Sequence, residues 1–260
     1  MSIRDVFVAY LNSPFAESLA KDFEGAKAAL PPGGAAAASL QEVLLAVAPE
    51  GDHPAFTRKC GLFLSAVFQT LESDQTLDLS PLAGARLVGL GTGLRRFDLA
   101  VKGDLGDYAG AYMESGTLTV AGDVADYAGM GMRGGDLVIK GLAENHLGHS
   151  MTGGRILVER NAHDFAGNRM VGGQIIIRGN AGYSTGYRMG GGTLEVRDLT
   201  WDQAGEEMVG GRVQIGGHIG RELGLAMAGG EIALSESHKD TPRTKAQGGR
   251  LSVIAKGKKG

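Results

Sequence analysis

Cys60 is the lone cysteine in 260 residues. It excludes an internal disulfide, and without a second thiol it excludes a cysteine-rich zinc or iron–sulfur site, a usage that fits a cytoplasmic protein. Aromatic residues are also scarce, at 6%. Long apolar runs are missing from the start of the chain. Arg4 and Asp5 interrupt the stretch from Met1 to Tyr10, so neither a signal peptide nor a membrane span is expected. A strong charge of one sign is missing as well. Lys and Arg total 26 against 29 Asp and Glu, a formal net charge of −3. Nucleic-acid-binding domains are usually strongly basic, so nucleic acid is not an expected partner. No G-x-G-x-x-G stands between a strand and a helix and no GK[ST] P-loop occurs, which removes the usual phosphate-binding devices.

Glycine, in contrast, is abundant, with 44 residues, more than double the usual share of about 7%. It lacks the G-X-Y period of collagen and instead follows a 19-residue period. Gly110, Gly129, Gly148, Gly167, Gly186, Gly205 and Gly224 share one phase. Met113, Met132, Met151, Met170, Met189, Met208 and Met227 stand three residues later, which places seven of the nine methionines at one phase. Glycines from Gly116 to Gly230 stand three residues later again. A fixed period of this kind marks a solenoid, whose units bury their apolar faces by stacking on one another.

Each unit ends on an alternating pair: Leu118/Val120, Leu137/Ile139, Ile156/Val158, Ile175/Ile177, Leu194/Val196, Val213/Ile215 and Ile232/Leu234. This period-two pattern predicts a strand with one buried face. A glycine pair before six of the seven strands, such as Gly153-Gly154, supplies a turn. A second short strand is expected around Asp123-Val124-Ala125. Seven regular coils run from Gly103 to Ser235, with weaker coils at Gly84 to Lys102 and Glu236 to Ile254. The expected fold is all-β: a single-stranded right-handed β-helix, that is, a parallel β-solenoid of 19-residue coils over 84–254. Its nine coils form a rod on the order of 40 Å long.

Residues 1–83 do not follow the repeat and are expected to be a mostly helical extension that caps the rod or binds another chain. Ser13-Pro14 has the form of a helix cap, followed by the apolar stripe Phe15, Leu19, Phe23, Ala26 and Leu30. Pro31-Pro32-Gly33-Gly34 stops that helix, and Ala35 to Ala38 form a linker. Ser39-Leu40-Gln41-Glu42 reads as a capping box opening a second helix through about Ala48. The apolar stretch Cys60 to Leu71 allows helix or strand. Residues 255–260 form a basic tail, and with Lys239, Arg243 and Lys245 they place charge near the open C-terminal edge.

Candidate functional side chains are few. The Met column could offer thioethers to a soft metal, but stacked core packing explains it better. His146 and His149 at i, i+3, with His163 near the equivalent place one coil on, have too few acidic neighbours for a metal site. Arg169 and Arg188 share a phase, with Asn168 and Tyr187 beside them, and two stacked guanidinium groups could hold an anion. The competing reading is a solvated face with Glu206 and Glu207 as counter-ions. His146, His149, Asn168, Arg169, Tyr187 and Arg188 therefore form a possible polar contact patch, with no residue assigned to catalysis, cofactor or metal. Lys140, Glu159, Arg178 and Arg197 read as a charged outer face. Tyr108, Tyr127, His146 and Phe165 share a phase, followed by Ser184, Gln203 and Glu222; this aromatic ladder is either interior stacking or an exposed patch. The repeat strands lack the carboxylate cluster that polysaccharide cleavage on a β-helix needs.

The segments Gly129 to Ala143 and Gly167 to Ala181 resemble the coils of the GXGXG β-helix superfamily, as does Gly122-Asp123-Val124-Ala125-Asp126-Tyr127-Ala128-Gly129 followed by Met132-Arg133-Gly134-Gly135. The resemblance covers about residues 84–254. It implies one of two settings. One is the β-helical subunit of formylmethanofuran dehydrogenase and of the related formyltransferase/hydrolase complex. The other is the C-terminal domain of the glutamate synthase large subunit. In both, the β-helix is a structural part of a larger enzyme. The resemblance therefore implies a scaffold without cofactor of its own, whose partners are the other subunits of a hetero-oligomeric enzyme. A free-standing chain with this many Met-Gly-Gly coils is more similar to the formylmethanofuran-type subunit.

Overall fold

The alternating apolar pairs recur at the repeat period, and each falls on a strand. A computed structural model of the chain describes residues 2–32, 39–82, 84–238 and 247–254. Gly33 and Gly34, the linker Ala35 to Ala38, the tail 255–260 and Lys239, Arg243 and Lys245 lie outside the described residues. Ten strands form one parallel sheet in sequence order: β1 (Gln75–Asp78), β2 (Leu99–Lys102), β3 (Thr117–Val120), β4 (Asp136–Ile139), β5 (Arg155–Val158), β6 (Gln174–Ile177), β7 (Thr193–Val196), β8 (Val209–Ile215), β9 (Gly229–Leu234) and β10 (Arg250–Val253). From β2 onward, partners stand one repeat period apart, as in Leu118↔Leu137 and Ile156↔Ile175, save for a bulge at Val209/Arg212. The fold is thus a β-solenoid. The strand expected near Val124 is reduced to single bridges, Leu105↔Val124 and Val124↔Ala143.

The interior is built from two kinds of column. Strand residues such as Leu137, Ile156, Ile175 and Leu194 have no exposed surface, and neither has any of the seven methionines of the repeat. The Met and Gly columns interlock. The Met170 ε-methyl lies 2.6 Å from where a Cβ on Gly192 would stand, and Gly192 has φ +78°. A side chain at Gly192 would therefore clash and be strained at once. Unbranched Met follows the curved interior of each coil where a β-branched residue could not.

Two rows of Asp and Asn, not singled out in the sequence, tie the turns of successive coils together. The Oδ1 atoms of Asp107, Asp126, Asn145 and Asp164 accept from the backbone N–H one coil on, at Asp126, Asn145, Asp164 and Tyr183 (2.9–3.2 Å). Asp104, Asp123, Asn161 and Asn180 do the same for Asp123, Leu142, Asn180 and Leu199. Each supplies an acceptor to a turn N–H that the sheet leaves unpaired.

The N-terminal segment holds α1 (Ile3–Leu11), α2 (Leu19–Ala29), α3 (Leu40–Val47) and α4 (Phe56–Phe68). Helix α1 is absent from the sequence-based expectation. Its Arg4 and Asp5 are not interruptions but polar positions, and Asp5 closes a capping box with Ser2. Helix α2 starts at Leu19, capped by the Ser18 side chain on Lys21 N, and not at Pro14. The reason is tertiary. Lys59, buried in α4, donates its Nζ to the Ser13 carbonyl at 2.7 Å and to Ser13 Oγ at 2.6 Å, and Asp22 accepts from Ala16 N at 2.6 Å. These bonds hold residues 13–18 out of the helix. Leu19, Phe23 and Ala26 still face the core, while Phe15 is 53% exposed. Ser39 caps α3 as expected, accepting from Glu42 N at 3.2 Å. Cys60 to Phe68 is helical, and burial pushes the Cys60 thiol well above its ordinary pKa, so it is unreactive.

Helix α4 covers the first coil. Val88 N donates to Thr57 O at 3.1 Å, and Gly91 N donates to Ser65 Oγ at 2.9 Å. A Cβ on Gly61 would stand 2.1 Å from Val88 O, so glycine there permits the close approach. Strand β1 pairs with β2 through a step longer than the period, Gln75↔Leu99. The sheet therefore begins before the repeat does. No helix among the described residues is long and apolar enough to cross a membrane.

Candidate functional site

In each regular coil, alternate residues ahead of the Met are left-handed. The first of these columns holds Tyr108, Tyr127, His146, Phe165 and Ser184, with φ of +62°, +61°, +61°, +61° and +51°. The conformation is imposed by backbone bonds between coils, such as Tyr108 N to Asp126 O and His146 N to Asp164 O (2.8 and 2.9 Å). Bulky side chains in this region cost about 1–2 kcal/mol each, so the ladder is held by its coil and by its own stacking. The rings stack nearly parallel at 5.3 Å (Tyr108–Tyr127), 4.6 Å (Tyr127–His146) and 5.0 Å (His146–Phe165). All four are half-buried. The ladder lies along the outer turns, neither in the interior nor fully exposed.

The structure brings four of the six patch residues together. His149 stands edge-on to Tyr127 at 5.8 Å and to His146 at 6.0 Å. Asn168 Nδ2 lies 3.4 Å from His146 Nδ1, and Tyr187 packs edge-on against Phe165 at 5.9 Å. Asn168 is buried, and its Oδ1 has no partner; His149 Nδ1 is buried and unpartnered too. Burial lowers the pKa of both His146 and His149, and for His149 the charges of His146 and Arg169 add to it. Both imidazoles are thereby held neutral near pH 7.

Arg169 and Arg188 flank this group without a side-chain hydrogen bond to it in the structure. Arg188 Nε donates to Glu207 Oε2 at 2.7 Å, which raises its pKa, and its guanidinium lies over the Tyr187 ring at 4.9 Å. One of the two guanidinium groups is thus engaged by a counter-ion. Glu206 accepts instead from Ser184 Oγ at 3.2 Å. His163 occupies a different column, away from His146 and His149, and is exposed. Among the described residues no group of three or more His, Cys, Asp or Glu is placed to hold a metal ion. In the outer charged column Arg178 approaches Glu159 at 3.7 Å.

A second place, missed in the sequence, surrounds Trp201. It is the one tryptophan of the chain and is 53% exposed. Its ring tilts against Tyr183 at 5.4 Å, over a pocket that also includes His163, Asp164, Asn161 and Asn180. The signal was present: a lone Trp interrupts a phase otherwise held by Gly106, Ala125, Glu144, His163, Gly182 and Gly220.

An unbroken parallel sheet with stacked Met, Gly and Asx columns defines a solenoid repeat protein whose polar groups lie on outer turns. The family model described as "GXGXG motif" matches residues 86–251, more than half of the chain, and the protein belongs to that family. Comparison with curated proteins gives no match.

Proposed function

We propose that the chain is a non-catalytic structural subunit of a multisubunit one-carbon enzyme of the formylmethanofuran dehydrogenase or formyltransferase/hydrolase type. The observation that carries this reading is the unbroken register. Among the described residues from β2 to β10, strand partners stay one repeat period apart and admit no inserted loop, save for the bulge at Val209/Arg212, and loops on a rigid scaffold are where catalytic groups are usually carried. What the rod offers is flat, repetitive surface. Part of one column of that surface is apolar and solvent-facing: Val171 is 58% and Val209 63% exposed, with Gly190 between them, whereas earlier coils carry Glu114, Arg133 and Thr152 at the same phase. Exposed apolar stripes on such a surface suit protein contact.

The test is isolation of the native assembly through a tag on the full chain. The expected result is a stable hetero-oligomer with formyl-transfer or formylmethanofuran-oxidising activity. Recovery with amidotransferase and FMN-dependent chains would instead favour a glutamate-synthase-type subunit. Recovery as a monomer under native conditions would contradict both.

A further inference from the structure

We infer that the gap between His163 and Trp201 is a binding slot for one planar heteroaromatic ring. The two residues share a column of the solenoid and stand two coils apart. Strand spacing sets that separation at about 10 Å. The rung between them belongs to Gly182, which contributes no side chain to the pocket. It cannot carry one without rearrangement, because a Cβ there would stand 2.2 Å from Asp164 Oδ1 and 2.7 Å from the His163 carbonyl carbon. Asp164 is itself fixed, accepting from Tyr183 N at 2.9 Å. The missing rung is therefore built into the backbone.

The neighbouring column shows what a filled rung looks like. Its rings stack at the coil period, with centroids 4.6 to 5.3 Å apart. A flat ring entering between His163 and Trp201 would lie over the His163 imidazole on one side and take the place of Tyr183, which now packs against Trp201 at 5.4 Å, on the other, within the range where aromatic pairs attract. Trp201 already leans over the gap toward Tyr183, with its ring tilted 46°. The slot is open to solvent and its aromatic walls are exposed, so a ligand reaches it without unfolding anything.

Polar groups on the wall favour a heterocycle over a plain hydrocarbon ring. Asn161 and Asn180 use Oδ1 on the backbone N–H groups of Asn180 and Leu199 (3.0 and 3.2 Å). This leaves their amide NH₂ groups as donors at the pocket. Asp164, which lines the pocket, uses Oδ1 on Tyr183 N and retains Oδ2 as an acceptor. Donors and an acceptor around a stacking slot match a base-like edge, which carries both kinds of group in its plane.

Trp201 is its own reporter, because no other tryptophan contributes to the emission. The full chain is titrated with adenosine as the probe, with cellobiose as a non-planar polar control. The expected result is saturable quenching of Trp201 emission by adenosine and none by cellobiose. His163→Ala keeps the reporter and removes one wall; its affinity for adenosine is expected to fall between about five-fold and a hundred-fold, the range for loss of one base–aromatic stack. Trp201→Ala, followed by calorimetry, should abolish the heat of binding. Absent or purely collisional quenching, unchanged affinity in a folded His163→Ala chain, or saturable binding of cellobiose would each overturn the assignment.

Discussion

Met170→Ala is the sharpest perturbation of the solenoid, because it removes a mid-rod side chain and nothing else. Met170 has no exposed surface, and its ε-methyl packs over Gly192 of the next coil. Its backbone is clamped on both sides: Met170 N donates to Gly167 O at 3.0 Å, and Gly190 N and Gly191 N donate to Met170 O at 2.8 and 3.2 Å. These bonds prevent the coil from collapsing into the space that Ala leaves, so the transfer cost and a cavity cost add to about 2–5 kcal/mol. For a domain of this size that is a fall of roughly 4–20 °C in the thermal midpoint. Met170→Leu, which conserves volume, should cost less than about 1.5 kcal/mol. Thermal and denaturant unfolding of the three proteins measures the difference. Solenoids can unfold in parts, so hydrogen exchange at β5 to β7 should report the loss locally. An Ala variant with the wild-type midpoint and unchanged exchange would refute the reasoning, as would oxidation of Met170 by mild peroxide in the folded protein.

The Asx rows predict a contrast at Asp126, whose Oδ1 accepts from both Asn145 N and Asn145 Nδ2 (2.9 and 3.0 Å): Asp126→Ala should cost about 1–3 kcal/mol in denaturant unfolding by stranding a turn N–H, while Asp126→Asn should be near neutral. The lowered pKa of His146 and His149 predicts acid sensitivity. Below an unfolded pKa of about 6.5 the unfolded state binds protons that the folded state refuses, so stability falls as pH drops through that value and toward the lower folded pKa; unfolding midpoints between about pH 7.5 and 5 should show this, with a smaller fall in His149→Gln. Deleting residues 1–56 strips α1 to α3 from α4 and bares Phe63, which is buried now against Phe7 and Tyr10; light scattering should show self-association, or the native assembly should lose its partners, whereas a monomeric, equally stable and still assembling product would make the segment dispensable.

The solenoid was legible because each coil repeats the same answer. Seven Met, seven Gly and seven strand pairs at one period leave a single register that buries the Met and the strand pairs together. The N-terminal helices carry no such redundancy. Ser13-Pro14 and Ser18 both look like caps, and the choice between them is made by Lys59 and Asp22, partners that sequence spacing does not reveal. Strand β1 escaped because its longer step to β2 breaks the period. The polar patch was legible in part. The period places His149 and Asn168 in one column on adjacent coils, whereas His163, read as near the equivalent place of the His146–His149 pair, stands at a different phase. The Asx rows lay open in the sequence, at phases where Asp and Asn recur. The pocket at Trp201 is a departure from the repeat, and reading the period first draws attention away from the one coil that breaks it.

If this rod supports chemistry performed by other chains, turnover assays on the purified full chain, beside the intact assembly, test that role most directly. No turnover of formyl or glutamine substrates is expected from the isolated chain, and full activity is expected in the assembly. Activity that stays with the isolated chain through repurification of the peak would contradict a purely structural role.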